Sequence, residues 1–323
     1  MSAIWVVMEE RDGRASRISF EAVAAGQKLA ALTGLVVNAV VIGAQTEALA
    51  AEVAAKALAK VVRLEHALLA AYTADGFTLA LQQFIEAEKP DYVIFPHTYQ
   101  VRDYAPKLAA RLGQVLIGDV TGFAEGPIFV RQLMQGRLNG SYRHSGNGPC
   151  FVSVQAGAFR ADEAQAGAAA ISAFEPTIEP AQIRTKPSER FRGAAQTVDL
   201  GAAQRIVGVG RGIKDAANLP LVQELATALG AELGASRPIC DNGWLAMERQ
   251  IGSSGQTIAP KLYLALGISG AIQHLVGIKG SQCVVAVNKD PGAPIFEAAD
   301  YGIVGDLMEV VPALTEAVKA ARQ

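Results

Sequence analysis

The strongest constraint in this sequence is an alternation of two patterns. Short unbroken apolar runs, the mark of strands buried on both faces, take turns with longer stretches whose apolar residues recur at helical spacing. Residues 36–42 (Val-Val-Asn-Ala-Val-Val-Ile) form the clearest such run. A helix is expected before it over residues 20–32, ended by Gly34. Residues 48–58 read as helix, 61–64 as a short strand, 78–87 as helix stopping before Pro90, 92–95 as strand, and 104–112 as helix closed by Gly113. Residues 4–8 supply a first strand. This βαβα order predicts a mostly parallel sheet with helices on both faces.

The pattern then changes. Residues 128–134, 136–142 and 150–155 are strand-like and separated by Gly-rich turns, which suggests late antiparallel strands added to the parallel sheet. From about residue 174 the chain carries Pro176, Pro180 and Pro187 among mixed charges, with little periodicity, and reads as a linker. A second α/β unit starts with a strand at 205–210. Asn218 suits a helix N-cap and Pro220 the first turn. The apolar face Leu221, Val222, Leu225, Ala226 and Leu229 follows and stops at Gly230. Residues 262–267 and 283–287 read as buried strands, 303–304 as a short one, and 311–321 as a terminal helix. The expected division is an N-terminal α/β domain over 1–185, a linker over 186–203, and a doubly wound domain over 204–323.

Composition removes several function classes. A length of 323 residues fits two domains. A net charge of −2 without a basic block argues against nucleic acid as the main partner. No run of about 18 apolar residues exists, so no membrane span is expected. The start of the chain lacks the basic leader of a signal peptide, and a cytoplasmic protein is expected. Cys150, Cys240 and Cys283 are too far apart for a ligand pair, and His66, His97, His144 and His274 are isolated, so no metal site is expected. Glycine is in excess, with 32 residues against a usual share of about 7%. Half of these lie between Gly201 and Gly305, and close approach of backbone to a ligand would explain them.

The glycine-rich turns carry the chemistry. Gly208-Val209-Gly210-Arg211-Gly212 follows a strand but lacks the third glycine of a dinucleotide fingerprint, because Ile213 stands there. It reads as a plain tight turn, as an ordinary NAD-binding turn, or as a turn touching another nucleotide cofactor, for which Arg211 could clamp phosphate or stack on a ring. Ser236-Arg237-Pro238 places Arg237 before a proline, which favours an extended residue projecting from a strand end. Gln250-Ile251-Gly252-Ser253-Ser254-Gly255-Gln256-Thr257 is a polar, Gly-bracketed loop, able to bond a phosphate or a heteroaromatic edge or simply to lie on the surface. In Gly267-Ile268-Ser269-Gly270-Ala271-Ile272-Gln273-His274, Ser269 is expected to cap a short helix opening at Gly270 and closing at Gly277. Asn288 ends another apolar strand, and Asp300 and Asp306 flank residues 303–304 as crevice groups or helix caps. These pieces suggest a nucleotide cofactor held across several strand ends, with no catalytic triad or acid/base pair beside it.

The run Leu264-Ala265-Leu266-Gly267-Ile268-Ser269-Gly270-Ala271-Ile272-Gln273-His274-Leu275 resembles a signature of the electron transfer flavoprotein α-subunit family. So do residues 286–291, 293–296 and 299–307, and the likeness spans essentially the whole chain. It implies a heterodimer with a β subunit, through the N-terminal domain, and one FAD held mainly by the C-terminal domain. It also implies transient exchange with an acyl-CoA-type dehydrogenase and a quinone oxidoreductase, or a role in electron bifurcation. The chain would be a redox carrier with no substrate chemistry of its own. The cofactor set so implied is Arg211, Ser236, Arg237, Gln250, Ile251, Gly252, Ser253, Ser254, Gly255, Thr257, Gly267, Ile268, Ser269, Gly270, Ala271, Ile272, Gln273, His274, Asn288, Asp306 and Leu307. Arg237 would place positive charge over the isoalloxazine, Ser254 a hydroxyl at flavin N5, and His274 a group near the C2 carbonyl. Asn288 and Asp306 would hold the phosphate or ribose side. Where many members read Gln-Thr-Gly-Lys, this chain has Ser253-Ser254-Gly255-Gln256, keeping the hydroxyl and losing the lysine. Residues 236–238 and 244–249 resemble the Fix-type or bifurcating branch. The alternatives are an NAD-dependent dehydrogenase using the 208–212 turn, or a non-catalytic nucleotide-binding subunit.

Overall fold

Ile4 and Val6 of the first strand face one hydrophobic core, Trp5 and Val7 the opposite one, and all four are buried. A strand covered on both faces is what an unbroken apolar run demands. The computed structural model describes residues 3–134, 136–187, 200–201 and 203–321. The chain divides into two units, Met1–Arg190 and Phe191–Gln323. The linker expected over 186–203 falls mostly outside the described residues.

The first unit runs β1 (Ala3–Val7), a small hairpin of β2 (Glu10–Arg11) and β3 (Arg14–Ala15), α1 (Arg17–Thr33), β4 (Val36–Gly43), α2 (Glu47–Ala54), β5 (Lys60–Glu65), α3 (Ala74–Glu88), β6 (Tyr92–Pro96) and α4 (Tyr99–Leu112). It continues with β7 (Leu116–Ala124), β8 (Ile128–Leu133), β9 (Leu138–Arg143), β10 (Cys150–Val154) and β11 (Ala170–Phe174). Nine strands form one sheet in the order β11-β5-β4-β1-β6-β10-β7-β8-β9. All neighbours are parallel except β7–β8 and β8–β9. Helices α1 and α2 cover one face, and α3 and α4 the other.

Several expectations need correction here. Residues 150–154 do not join the antiparallel set; β10 is a parallel strand between β6 and β7, and each of its residues is buried. Strands β7 and β11 escape the pattern because β7 is broken by Gly118, Asp119 and Gly122, and β11 is a mostly exposed edge. Helices α3 and α4 open earlier than their apolar spacing suggests. Thr73 accepts the Gly76 N–H and Thr98 the Val101 N–H, so the caps set the starts. Helix α2 stops at Ala54, short of residue 58, because the next residues turn to bond the 165–169 segment: Ala57 donates to the Gln165 carbonyl and Gly167 to that of Ala55. The stretch from 174 is not yet a linker. Ile178 is buried, Gln83 and Thr177 exchange two hydrogen bonds, and the Arg184 N–H donates to Asp75.

The second unit runs β12 (Arg205–Val209), α5 (Leu219–Leu229), β13 (Glu232–Ala235), α6 (Arg237–Asp241), β14 (Leu262–Leu266), α7 (Ile272–Ile278), β15 (Val284–Asn288), β16 (Tyr301–Val304) and α8 (Leu307–Ala321). Its five strands are all parallel, in the order β13-β12-β14-β15-β16. Helices α5, α6 and α8 pack on one face, and α7 with the 251–258 segment on the other. Gly230 closes α5 in the left-handed conformation. Asn218 precedes α5 but does not cap it through its side chain, which donates instead to the Ile213 carbonyl. Helix α8 opens at Leu307, before the expected 311, because the Asp306 carboxylate accepts the Met308 N–H. No helix among the described residues is long and apolar enough to cross a membrane.

Candidate functional site

The chain of the second unit reverses its direction of sheet growth between β12 and β14, since β13 lies on one side of β12 and β14 on the other. In an open parallel sheet that is where a crevice opens, outside the carboxyl ends of the strands. Every one of those ends carries residues expected from the sequence to hold the cofactor. Arg211 follows β12, Ser236 and Arg237 follow β13, Gly267 to His274 follow β14, Asn288 ends β15, and Asp306 and Leu307 follow β16.

The 250–257 loop joins them from the side. Ile251 donates to the Ala235 carbonyl at 2.8 Å, and Ser253 to the Gln273 carbonyl at 2.8 Å. The loop is therefore laced to the end of β13 and the start of α7, and is not a free surface loop. Gln250 Nε2 donates to Ser254 Oγ at 2.9 Å, so a buried amide fixes the exposed hydroxyl. Arg211, Arg237, Ser253, Ser254, Ser269, Ala271, Ile272 and Gln273 are exposed at the strand ends. Gly255, Thr257, Gly267, Asn288 and Asp306 are half-buried, while Ile251, Gly252, Ile268, Gly270 and Leu307 are buried beneath them.

Two local expectations change. Arg237 is not extended: Ser236 is the extended cap, and Arg237 is the first residue of α6, with Pro238 in the first turn. That position suits proline, whose missing N–H has no helical partner there. Arg237 still leaves a strand end and pairs with Asp241 at 3.2 Å, with its side chain 68% exposed. Ser269 does not cap α7, which opens at Ile272 after Ala271, has no side-chain cap, and runs on through Gly277.

The glycines also have a structural reason. A Cβ at Gly210 would lie 2.4 Å from the Gly267 carbonyl oxygen, and one at Gly212 would lie 2.6 Å from the Gly267 Cα. A Cβ at Gly270 would meet the Ile295 nitrogen at 2.2 Å, and one at Gly277 the Gly252 nitrogen at 2.5 Å. These glycines let backbone pack on backbone, which builds the strand-end loops. The same contacts dispose of the 208–212 turn as a dinucleotide fingerprint. Its glycines are used up against β14, and a 3-10 turn at Arg211–Ile213 follows it instead of a long helix.

Several polar side chains are committed inside the fold. Asn288 Nδ2 donates to the Ile268 carbonyl at 3.0 Å, and its Oδ1 accepts the Asp290 N–H, which ties β15 to the β14 loop. Asp306 accepts from Met308 and pairs with Lys214 at 2.9 Å. The Met308 N–H and then Lys214 hold its carboxyl below the ordinary value. Asp300 accepts the Val284 N–H at 2.7 Å and belongs to the sheet, not the crevice.

Others are left over. Ser236 Oγ and Gln250 Oε1 are buried without a hydrogen-bond partner. His274 Nδ1 is buried without a partner as well. These are three of the six such side-chain atoms among the described residues. A buried polar atom without a partner costs about 1–3 kcal/mol, so these three are the candidates to bond a ligand. Hydroxyls, an amide, an imidazole and a guanidinium suit the hydrogen-bonding edge of a flavin. Burial pushes His274 down to about 4, so the imidazole is neutral near pH 7. Its Nε2 meets the Tyr263 hydroxyl at 2.8 Å. Tyr263 was hidden from the sequence reading inside the apolar run of β14. The available signal was a lone tyrosine in a buried strand, whose hydroxyl needs a partner.

Residues 199–279 match the family described as the electron transfer flavoprotein FAD-binding domain, and residues 4–179 match the electron transfer flavoprotein domain. The chain is 41% identical over 321 residues to the electron transfer flavoprotein subunit alpha of Bacillus subtilis, covering 97% of this chain and 96% of that protein. It is 33% identical to the acryloyl-CoA reductase electron transfer subunit beta of Anaerotignum propionicum, covering 99% and 96%. It is 32% identical to Protein FixB of Clostridium saccharobutylicum, covering 98% and 96%. Three buried, unpartnered polar atoms lie in the part of the chain that matches the FAD-binding domain, and the chain belongs to the electron transfer flavoprotein α-subunit family.

Proposed function

We propose that this chain is the FAD-holding subunit of a heterodimeric electron carrier, working in the cytoplasm with a β subunit. It takes electrons from an acyl-CoA-type dehydrogenase and passes them to a quinone oxidoreductase. The observation that carries this reading is the trio Ser236 Oγ, Gln250 Oε1 and His274 Nδ1, buried and unpartnered in the FAD-binding domain. When bound, FAD supplies reversible electron uptake, and the protein supplies binding, orientation and electrostatics. Ser236 and Gln250 offer hydrogen bonds from below the crevice, and His274 offers a neutral one. Arg237 places positive charge at the end of β13, where it favours added negative charge on a ligand. Ser254, steadied by Gln250, presents a hydroxyl at the rim. Nothing in this set abstracts a proton from a substrate carbon, which fits a carrier.

The test is anaerobic. The complex with its β subunit is mixed with an acyl-CoA dehydrogenase and its substrate, and the flavin absorbance of the complex is followed. Bleaching at a catalytic amount of dehydrogenase is expected, and no bleaching would refute the assigned donor. A second reading rests on residues 236–238 and 244–249 and on the likeness to Protein FixB: the complex takes part in bifurcation. NADH-driven reduction of a ferredoxin that proceeds only while a second, higher-potential acceptor is reduced alongside it would favour this reading.

A further inference from the structure

We propose that Tyr263 is a positioning residue, whose hydroxyl fixes the His274 ring with its proton on Nδ1, so that the crevice meets its cofactor with a neutral N–H donor. The proposal rests on the FAD reading of the site.

The argument starts from the sheet. Tyr263 lies on β14, on the face that packs against α7, and is fully buried. Its phenol cannot reach water, and burial drives its ionisation far above the ordinary value, so it keeps its proton. A buried hydroxyl must donate that hydrogen or pay for an unmade bond. Its hydrogen-bond partner among the described residues is His274 Nε2, at 2.8 Å. An imidazole that accepts at Nε2 and is neutral carries its proton on Nδ1.

The tyrosine is itself held in place. On the neighbouring strand β12 the residue facing its hydroxyl is Gly208, where a Cβ would lie 2.0 Å from Oη. Any side chain there would displace the phenol. Gly208, Tyr263 and His274 thus form one chain of contacts from β12 through β14 to α7. It ends at the loop that carries Gln250 and Ser254.

The test reads the tautomer directly. Histidine-selective ¹⁵N labelling of the complex with its β subunit, with and without FAD, gives long-range ¹H–¹⁵N spectra that separate protonated from unprotonated ring nitrogens. Loss of signals in His274→Asn assigns them. The expected result is protonated Nδ1 and unprotonated Nε2 in the native protein, and a shift of population toward Nε2–H in Tyr263→Phe. FAD affinity of Tyr263→Phe should fall about tenfold, the loss of one buried hydrogen bond. Protonated Nε2 in the native protein, or an unchanged His274 spectrum in Tyr263→Phe, overturns the tautomer assignment without needing any variant to lose activity. Unchanged FAD affinity in Tyr263→Phe overturns the link to the cofactor. If the native complex takes up no FAD, the FAD reading fails, and the flavin-free spectrum still decides the tautomer.

Discussion

Gly208→Ala is the sharpest perturbation this fold offers. Strand β12 accepts alanine conformationally, so the cost comes from contact alone. The added Cβ would lie 2.0 Å from the Tyr263 hydroxyl, 2.6 Å from Cζ and 2.7 Å from Cε2. Carbon atoms rest at about 3.5–4.0 Å from one another, so the ring must move by more than an ångström. Tyr263 is fully buried, and overpacking such a site costs about 1–3 kcal/mol. The ring cannot move that far and keep the 2.8 Å bond to His274, whose loss adds about 1–3 kcal/mol. Relief of glycine's entropy in the unfolded chain returns about 0.5–1 kcal/mol. The net loss is about 3 kcal/mol, seen as a fall in Tm of roughly 10 °C for a unit of this size. Differential scanning calorimetry of the complex measures it. Gly122→Ala is the control, because nothing lies within 4 Å of its added Cβ, and it should be neutral. In a Tyr263→Phe background the 2.0 Å contact vanishes and the penalty should shrink by at least about 1 kcal/mol. A Gly208→Ala protein as stable as the native one, or a penalty unchanged by Tyr263→Phe, would refute the reasoning.

Other consequences concern single groups. Glu21 is buried, and desolvation raises its carboxyl to about 7 from 4.5, against the pull of the Gly157 N–H and Arg17. The folded state then holds a proton that the unfolded chain has released between about pH 4.5 and 7, so stability falls as pH rises through that window, by roughly 3 kcal/mol in all. Glu21→Gln should remove this slope in urea melts at pH 5 and pH 8; identical slopes in both proteins would contradict it. Lys89 closes α3 in the left-handed conformation, with φ 46° and ψ 59°. Lys89→Gly should raise stability by about 0.5–1 kcal/mol, and a loss would show that the lysine makes a contact worth more than the strain. Arg237→Ala should lower the flavin potential by roughly 30 mV, about 1.4 kcal/mol for a two-electron couple. Dye-equilibrated reductive titration reads this, and an unchanged potential with unchanged FAD affinity removes Arg237 from the site.

The parts of the fold legible in the sequence were those that a single face determines. The apolar runs of β1, β4, β6, β12 and β14 are buried on both sides, and the left-handed closures at Gly34, Gly113 and Gly230 stand where the sequence puts them. What local pattern could not supply was pairing. Nothing within residues 150–154 says that this strand inserts between β6 and β7, because that placement depends on residues far along the chain. Helix starts at Thr73 and Thr98 depended on side-chain caps more than on apolar spacing. At the site, the motif residues fall at the strand ends that the parallel sheet dictates. For the glycines, composition shows that backbone comes close to something but not to what. Here it is other backbone at Gly210, Gly212, Gly270 and Gly277, and a phenol at Gly208. Tyr263 was invisible because its hydroxyl bonds a histidine on the helix packed on the sheet face, a pairing that apolar patterning does not show.

The central claim is that the strand ends of the second unit hold FAD. Its most direct test is the cofactor content of the complex formed when this chain is co-expressed with the β subunit of the same organism. The purified complex is denatured with acid, and the released nucleotides are separated and identified by mass. The same is done for a double variant, Ser236→Ala with His274→Ala. The account predicts a yellow complex that releases FAD, and a clear loss of FAD in the double variant. A colourless complex, one that releases only AMP or NAD, or a double variant with undiminished FAD would contradict it.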